Sequence, residues 1–435
     1  MSTSTPVAEQ AAAYAERFAA FRAQPAFGAD RVSALREQAF AAFTANGFPT
    51  ARDEEYKFTN IGPIAVAPFG CTGADAPARK AIEPFLFDGA IRTQIVIVNG
   101  RLSKALSSME ALPRGVTVDQ VTDAVTAAPS ASADALAKAP FVALNTAFFG
   151  RPVVMMVAPH AIVDEPIQVL FVNTPGEHRM MAATRLLVAA GEHSQLTLVE
   201  AYAGLPGAGQ GFTNAVTDVL VSDNAVVDHY KLQRETGSAF HVGAMFVHCG
   251  RGANFSSHSF MTGGKIVRND VFATLDGEGA ECTLHGLYLA GGDTLVDNHT
   301  SIDHTKAHCP SHEIYKGILS GNAKAVFNGK ITVRPDAQKT DAKQTNKALL
   351  LSDSATINTK PQLEIFADDV KCTHGAAIGQ LDEDALFYLR ARGIAEPDAR
   401  NILVHAFAGE VLDGIKIDAV KTRVEQFVYA ALEAL

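Results

Sequence analysis

Several features that would assign a protein of 435 residues to a particular class are scarce or absent in this sequence. Basic residues are outnumbered, with 37 Lys and Arg against 47 Asp and Glu, and the net charge of −10 argues against general nucleic-acid binding. No apolar run approaches the length of a membrane span, so we expect a soluble protein without a membrane segment. Residues 1–18 lack a basic region followed by an apolar one, which predicts a cytoplasmic protein rather than a secreted one.

Cysteine is scarce and scattered. The five cysteines form no CxxC pair and no dense framework, since they stand at positions 71, 249, 282, 309 and 372. This spacing does not fit a disulfide scaffold and is compatible with a reducing cytoplasm. A phosphate-binding loop is also missing, because the nearest segment, residues 263–266, lacks the Ser or Thr after its lysine and the spaced upstream glycine. We therefore expect that this chain does not hydrolyse ATP.

The chain divides into three regions by its pattern of apolar residues. Residues 1–150 form a helical and mixed region, in which Tyr14 and Phe18 recur at helical spacing. Residues 151–372 contain short β-runs separated by turns of small residues. Residues 373–435 return to a helical pattern, with Asp382 as a candidate helix N-cap. Apolar helices at a chain end predict a partner surface, either within the chain or on another subunit.

The middle region contains a weak internal repeat. Three alanines follow the turns of successive units, spaced by 28 and 27 residues, and related pieces recur further along the chain: Ala225, Ala253 and Ala280, then Ser194 and Ala323. Such repeats indicate a stacked architecture such as a parallel β-helix, because each short strand satisfies its backbone by pairing with the strand of the next turn. Hairpin turns at the same places would instead build an antiparallel sandwich, and periodicity alone does not separate the two.

Two segments resemble a known family. Residues 361–394, PQLEIFADDVKCTHGAAIGQLDEDALFYLRARGI, resemble the C-terminal signature of the SufB/SufD family of SUF iron–sulfur cluster assembly proteins. Residues 52–61, RDEEYKFTNI, resemble the N-terminal signature of the SufD branch, with Tyr56-Lys57-Phe58 where that branch usually has Trp-Lys-Tyr. The resemblance implies a mainly β fold, namely a right-handed parallel β-helix flanked by helical N-terminal and C-terminal regions. Chain length and the N-terminal segment favour the SufD branch over SufB.

The resemblance also implies a function. It predicts a non-catalytic scaffold subunit of the SufBCD complex, which pairs with a SufB-like scaffold while a SufC-like ABC ATPase docks on its C-terminal helical region. The implied cofactor is a transient iron–sulfur cluster shared with SufB; reduced flavin has been associated with the complex, but nothing in this sequence points to it. One alternative is a SufB-like or homodimeric scaffold. Another, from a different class, is a β-helix polysaccharide lyase or hydrolase, although those enzymes are mostly secreted.

Cluster chemistry is expected at Cys372 and His374. In an extended strand both side chains point to the same side, and a thiol beside an imidazole suits iron or an iron–sulfur cluster. Two ligands are too few for a closed site, so the others must come from elsewhere or from another chain. The resemblance implies the second, because the family histidine that matches His374 faces a SufB cysteine across the SufB–SufD interface. The alternative is a buried, structural Cys372 and a His374 that only forms interface hydrogen bonds.

A denser cluster of histidine and cysteine occurs in the segment DHTKAHCPSHEIYKG, at His304, His308, Cys309 and His312. One interpretation is a zinc site. However, Pro310 interrupts the run, and the spacing matches no standard zinc pattern. We favour the second interpretation, in which this is a β-helix turn whose polar residues form hydrogen bonds along the coil.

Overall fold

The computed structural model describes residues 5–24, 27–67, 69–70, 76–87, 89, 91–174, 179–207 and 210–433. Its α-helices are α1 (Thr5–Arg22), α2 (Asp30–Asn46), α3 (Gly62–Ala65), α4 (Arg79–Ile82), α5 (Ala133–Lys138), α6 (Pro140–Phe148), α7 (Glu383–Ala391), α8 (Glu396–Leu412) and α9 (Asp418–Glu433). Short 3-10 helices lie at Glu54–Tyr56, Glu83–Phe85, Met109–Ala111, Thr122–Ala127 and Pro129–Ala131.

Strands occupy most of the chain between the two helical regions. The first group is β1 (Thr93–Val98), β2 (Arg101–Leu102), β3 (Val116–Asp119), β4 (Val153–Val157), β5 (Ile167–Asn173), β6 (Met181–Ala190), β7 (Gln195–Gly204), β8 (Phe212–Val221) and β9 (Val226–Arg234). The second group is β10 (Phe240–Cys249), β11 (Asn254–Met261), β12 (Ile266–Leu275), β13 (Glu281–Ala290), β14 (Leu295–His304), β15 (Pro310–Leu319), β16 (Lys324–Val333), β17 (Asp341–Leu350), β18 (Thr356–Ile365) and β19 (Lys371–Gly379).

From β4 onward, successive strands alternate between two parallel sheets, so that two strands make one coil. Sheet A has the order β19-β17-β15-β13-β11-β9-β7-β5-β1-β2, and sheet B has the order β18-β16-β14-β12-β10-β8-β6-β4-β3. Each strand pairs in register with the strand one coil away, as Phe240 of β10 does with Ile266 of β12. The chain is therefore a parallel β-helix of about seven turns, which confirms the predicted fold class. The antiparallel sandwich was the wrong alternative.

A ladder of small residues explains the sequence repeat. The residue just before each of five successive sheet A strands is fully buried, and this corner ladder consists of Ser194, Ala225, Ala253, Ala280 and Cys309. The residue preceding each ladder position has a positive φ, which turns the chain tightly into the strand; these residues are His193, Asn224, Gly252, Gly279 and His308. Placing Ala323 in this series was wrong, because Ala323 precedes β16 of sheet B and lies at the opposite corner. A small buried residue can therefore precede strands of either sheet, as Ala323 and Ala355 do before β16 and β18.

The helical regions cover the outer faces of the two sheets. The N-terminal helices bury an aromatic cluster, which includes Tyr14, Phe18 and Phe141, against the outward residues of β6, β8 and β10 in sheet B. The helices α8 and α9 pack on the outer face of sheet A, where Val411 and Val424 are buried. We estimate about 1.5–3 kcal/mol of stabilisation for each large apolar side chain buried in this way. No helix within the described ranges is long and apolar enough to cross a membrane.

The last strand and the first C-terminal helix bring the signature segment to the end of the β-helix. The strand β19 continues to Gly379, across the predicted region boundary at residues 372 and 373. Asp382 then caps α7, since its carboxylate accepts hydrogen bonds from the backbone N–H groups of Asp384 and Ala385, as predicted. Leu386 of α7 is buried, whereas Phe387 is exposed. The helix α7 thus packs less of its apolar surface within the chain than α8 and α9 do.

Candidate functional site

The last coil of the β-helix has no neighbour on its outer side. The strands β18 and β19 stand at the ends of their sheets, and each pairs only with the preceding strand of its own sheet among the described residues. In the central strand β8, nine of ten residues are buried, whereas no residue of β18 or β19 is buried. We call this coil the open end. Its unpaired backbone N–H and C=O groups and its inward-facing side chains are accessible from outside.

Cys372 and His374 lie on the open end, on the side of β19 that faces the lumen of the β-helix. Cys372 pairs in register with Ala342 of β17, and it packs against the apolar lumen cluster. His374 pairs with Gln344 and, two residues further along the strand, faces the same side. Because no further coil covers them, Cys372 is half-buried and His374 is exposed. The structure therefore places both predicted site residues at one accessible edge.

The Cys372 thiol is poised to stay protonated in the isolated chain. Burial raises its pKa above the ordinary value, while a backbone hydrogen bond with Ala342 acts in the opposite direction. A thiol of this kind is a weak nucleophile and metal ligand until a cation or a base displaces its proton. The exposed imidazole of His374 is the more readily available ligand of the two.

A buried carboxyl group lies in the lumen beneath the open end. Glu313 of β15 accepts a hydrogen bond of 2.7 Å from the side-chain amide of Gln344, which is the register neighbour of His374. Burial raises the pKa of Glu313 to about 7. Because neighbouring strands are about 4.8 Å apart, Glu313 lies two coil spacings from His374. This group could not be predicted from the sequence, since both faces of β15 carry polar and apolar residues.

Apolar side chains are exposed on the open end and on the adjoining helices. On the open end and the residue that follows β18 they are Ile365, Phe366 and Ile378, which are 41%, 59% and 48% exposed. A second group lies on α7 and α8, and we call it the helical surface: Phe387, Tyr388 and Ile402. Large apolar residues exposed in groups mark surfaces that contact another molecule.

The cluster predicted at residues 304–312 does not converge on one point. His304 is buried in the lumen, where its Nε2 contacts the Ser311 hydroxyl at 3.0 Å and burial lowers its pKa to about 4. His308 lies in a corner turn, and Cys309 belongs to the corner ladder. His312 takes the outward position between two inward residues of β15. In the described part of the chain, no three or more His, Cys, Asp or Glu residues are grouped to hold a metal ion.

The N-terminal signature segment crosses the outer face of sheet B, and we call residues 52–61 the strap. The buried ring of Tyr56 stacks under the Arg268 guanidinium, with 3.9 Å from its central carbon to the ring centre. The Thr59 hydroxyl donates a hydrogen bond of 2.6 Å to Asp297. Glu55 contacts Nδ1 of His299 at 3.0 Å. The strap thus fixes the N-terminal region to the β-helix, and an aromatic residue is needed at position 56 to accept the guanidinium.

The contacts made by the strap also change the pKa of His299. Burial opposes a charged His299, but Asp297 and Glu55 outweigh it and raise the pKa of His299 to about 9. Asp297 is itself held by Arg268, whose Nη1 lies 2.6 Å from its carboxylate. The resemblance identified this segment from the sequence. Its hydrogen bond from Thr59 to Asp297 and its ion pair between Glu55 and His299, each across about 240 positions, are visible only in the structure.

Comparisons with known proteins agree with this architecture. The family model described as "SUF system FeS cluster assembly, SufBD core domain" matches residues 171–407, and the model "SufBD protein N-terminal region" matches residues 9–169. The first spans the β-helix from β5 and ends within α8, and the second spans the N-terminal helices and the strap.

Several curated proteins are similar over most of their length. An iron–sulfur cluster assembly SufBD family protein of Synechocystis is 32% identical over 392 residues, which cover 87% of this chain and 86% of the relative. The iron–sulfur cluster assembly protein SufD of Escherichia coli is 30% identical over 382 residues, covering 87% of this chain and 88% of the relative. The chloroplastic protein ABCI7 of Arabidopsis thaliana is 29% identical, covering 87% and 82%. The chain therefore belongs to the SufB/SufD family of the SUF system for iron–sulfur cluster assembly.

Proposed function

We propose that this chain is a SufD-type scaffold subunit without catalytic activity of its own, which pairs with a SufB-like scaffold through the open end. The observation that carries the proposal is the uncovered last coil, which presents unpaired strand edges and exposed apolar side chains. An exposed strand edge is a template for another strand, and natural proteins rarely leave one unprotected. A partner's β-helix stacked on β18 and β19 would satisfy these backbone groups and cover Ile378 and Phe366.

His374 is the proposed ligand that this chain offers to a nascent iron–sulfur cluster, which is the cargo of the complex. The imidazole is accessible at the proposed interface, and the described residues around it do not complete a metal site by themselves. The partner must therefore supply further ligands, because clusters take about four. Cys372 is the second candidate from this chain, and its raised pKa means that iron binding would have to displace its proton.

The helical surface is the proposed docking site of a SufC-like ABC ATPase. Phe387 is 73% exposed although it is a large aromatic residue, and Tyr388 and Ile402 on the adjoining helices are 57% and 46% exposed. Because α7 follows β19 after only a few residues, a force on α7 would be transmitted to the open end. We infer that ATP-driven association of two ATPase subunits shifts the paired scaffolds and opens the cluster site at their interface.

The remaining predictions on cofactors and partners follow from this proposal. Reduced flavin has no assigned site in this chain. The alternative of a SufB-like or homodimeric scaffold is distinguished by co-purification with tagged partners and native mass measurement, since a homodimer would retain only copies of this chain. Family membership leaves no support for the alternative of a polysaccharide lyase or hydrolase.

The test is His374→Ala in the full complex, reconstituted anaerobically with its SufB-like and SufC-like partners. We expect the variant complex to keep its subunits, checked by size-exclusion chromatography, and to lose most of its bound iron and sulfide. The control is His248→Ala, which alters a half-buried histidine on the outer face of β10. Wild-type iron and sulfide content in the His374→Ala complex would rule out the ligand role.

A further inference from the structure

A cavity of about 680 Å³ lies between the N-terminal helices and the first strands. These strands stand at the opposite end of the sheets from the open end. Its walls come from α1, the turn between β1 and β2, the residues after α6, and β6. Small-molecule sites in proteins typically measure roughly 300–1,000 Å³, so this cavity has the size for a metabolite such as a nucleotide. Nothing in the proposed scaffold function uses it.

Among the described residues that line the cavity, three are cations and none is acidic. Arg17, Arg101 and Arg151 are all among its lining residues. Neither Arg101 nor Arg151 forms an ion pair with a described residue, and both are exposed. In a chain of net charge −10, the three guanidinium groups and the lack of a carboxylate among the described lining residues give this part of the cavity a positive local potential. Guanidinium groups bind phosphate in a bidentate geometry, so an anionic phosphate group is the matching ligand.

The backbone holds two of these arginines in fixed places. Asn99 and Gly100 form the two-residue turn between β1 and β2, with φ values of 48° and 78°, and Arg101 follows directly. Gly100 lies against β6, since a Cβ added to it would come within 3.2 Å of the Ala183 carbonyl oxygen. Arg151 follows Gly150, whose carbonyl oxygen accepts a hydrogen bond of 3.1 Å from the buried Arg36. The cavity is thus built on ordered turns of the core.

The remaining described lining is largely apolar and includes two aromatic side chains. The rings of Phe21 and Phe148 are stacked with their planes 23° apart and their centres at 6.2 Å. Leu102 and Met181 extend this apolar wall, and the Gln120 side chain adds an amide at the cavity. A wall of aromatic and aliphatic side chains beside convergent cations suits a ligand with a flat ring at one end and a phosphate at the other.

We propose that this cavity binds a nucleotide, with its phosphates on Arg101 and Arg151 and its ring against the wall that includes Phe148. The site would give the N-terminal region a ligand of its own, independent of the cluster chemistry at His374. Binding is proposed without hydrolysis, because the chain has no phosphate-binding loop of the ATPase type.

The test is calorimetric titration of the isolated full-length chain at low salt with ADP and FMN, two nucleotides with different rings. Inorganic pyrophosphate and adenosine serve as probes of the phosphate and the ring alone. We expect at least one nucleotide to bind more tightly than either fragment. The double variant Arg101→Gln and Arg151→Gln should weaken that binding by at least about tenfold, because each guanidinium forms charge-assisted hydrogen bonds.

The matched control is the double variant Arg92→Gln and Arg251→Gln, which removes the same two charges at exposed arginines away from the cavity lining. It should bind as the unaltered chain does, and thermal melting should show that both double variants are folded. The proposal is overturned if neither nucleotide binds at millimolar concentration, or if both double variants bind equally. It is also overturned if pyrophosphate or adenosine alone binds as tightly as the nucleotides.

Discussion

The two ends of the β-helix are built from the same kind of coil, but their edge strands differ. At the N-terminal end, the antiparallel strands β2 and β3 close the sheets, and all six residues of β1 are buried. At the C-terminal end, β18 and β19 are bare, and His374 and Ile378 of the lumen side are exposed. Very short edge strands such as β2 and β3 offer little template for further pairing, whereas the longer bare strands β18 and β19 invite it. The difference fits the proposal that one end is closed for stability and the other is left for a partner.

The sharpest test of this comparison is a matched pair of substitutions on sheet A. Ile97→Ala in β1 removes a side chain that is 2% exposed, and Ile378→Ala in β19 removes one that is 48% exposed. We expect Ile97→Ala to lower the free energy of unfolding by about 2–5 kcal/mol, and Ile378→Ala by less than about 1 kcal/mol. Urea denaturation of the isolated chain measures both. Equal losses would mean that the open end is packed as well as the closed end.

The pKa of Glu313 can be used to test whether water reaches the lumen beneath the open end. Its pKa of about 7 lies above the ordinary value of 4.5, so the folded chain binds more protons than the unfolded chain between these values. Stability should therefore fall as the pH rises from about 4.5 to 7 and then stay level.

The variant Glu313→Gln removes this titration. We expect it to match the unaltered chain near pH 4.5 and to be more stable by on the order of 3 kcal/mol at pH 8. Urea denaturation across this pH range provides the measurement, with Glu278→Gln, an exposed glutamate, as control. A pH-independent difference would indicate that water enters from the open end and solvates the carboxylate.

Association with the partner should depend on the open end and not on the closed end. We expect Ile378→Asp to weaken binding to the SufB-like partner by about 10- to 100-fold, or about 1.4–2.8 kcal/mol, because it places a charge in an apolar contact. The Ile97→Ala variant, measured at a temperature where it is folded, should bind normally. Surface plasmon resonance with immobilised partner measures both affinities. Unchanged binding by Ile378→Asp would place the interface elsewhere.

The contacts of the strap on the outer face of sheet B predict a smaller effect on stability, and this effect depends on pH. The pKa of His299 is raised from 6.5 to about 9, so the stability it contributes is fully present below about pH 6.5 and is lost as the pH rises through 9. We expect His299→Gln to cost about 1–2 kcal/mol at pH 6 and much less at pH 10. Thermal melts at the two pH values test this, and a cost that does not change with pH would contradict the ion pairing.

Much of the fold was predictable from the sequence, but only because a family signature supplemented the periodicity. The repeat alone did not separate a β-helix from a sandwich, because turns of small residues fit both. Small buried residues also precede some strands of sheet B, and this placed Ala323 in the wrong series. The signature identified Cys372 and His374, yet their accessibility depends on β19 being the last coil. Glu313 was not predicted as a buried carboxyl group, because both faces of β15 carry polar and apolar residues. The sequence pattern therefore does not show which face of the strand points into the lumen. Long-range contacts such as Tyr56 with Arg268 have no local signature.

The unpaired edges of β18 and β19 also limit the specificity with which the chain can bind a partner. Main-chain hydrogen bonds are the same in every polypeptide, so a strand edge by itself accepts a second copy of the chain as readily as a foreign one. Discrimination between self and sister subunit must then come from side chains such as Phe366 and Ile378. If the proposed partner covers these edges, a cell that makes this chain in excess of that partner would leave strand edges free for self-assembly.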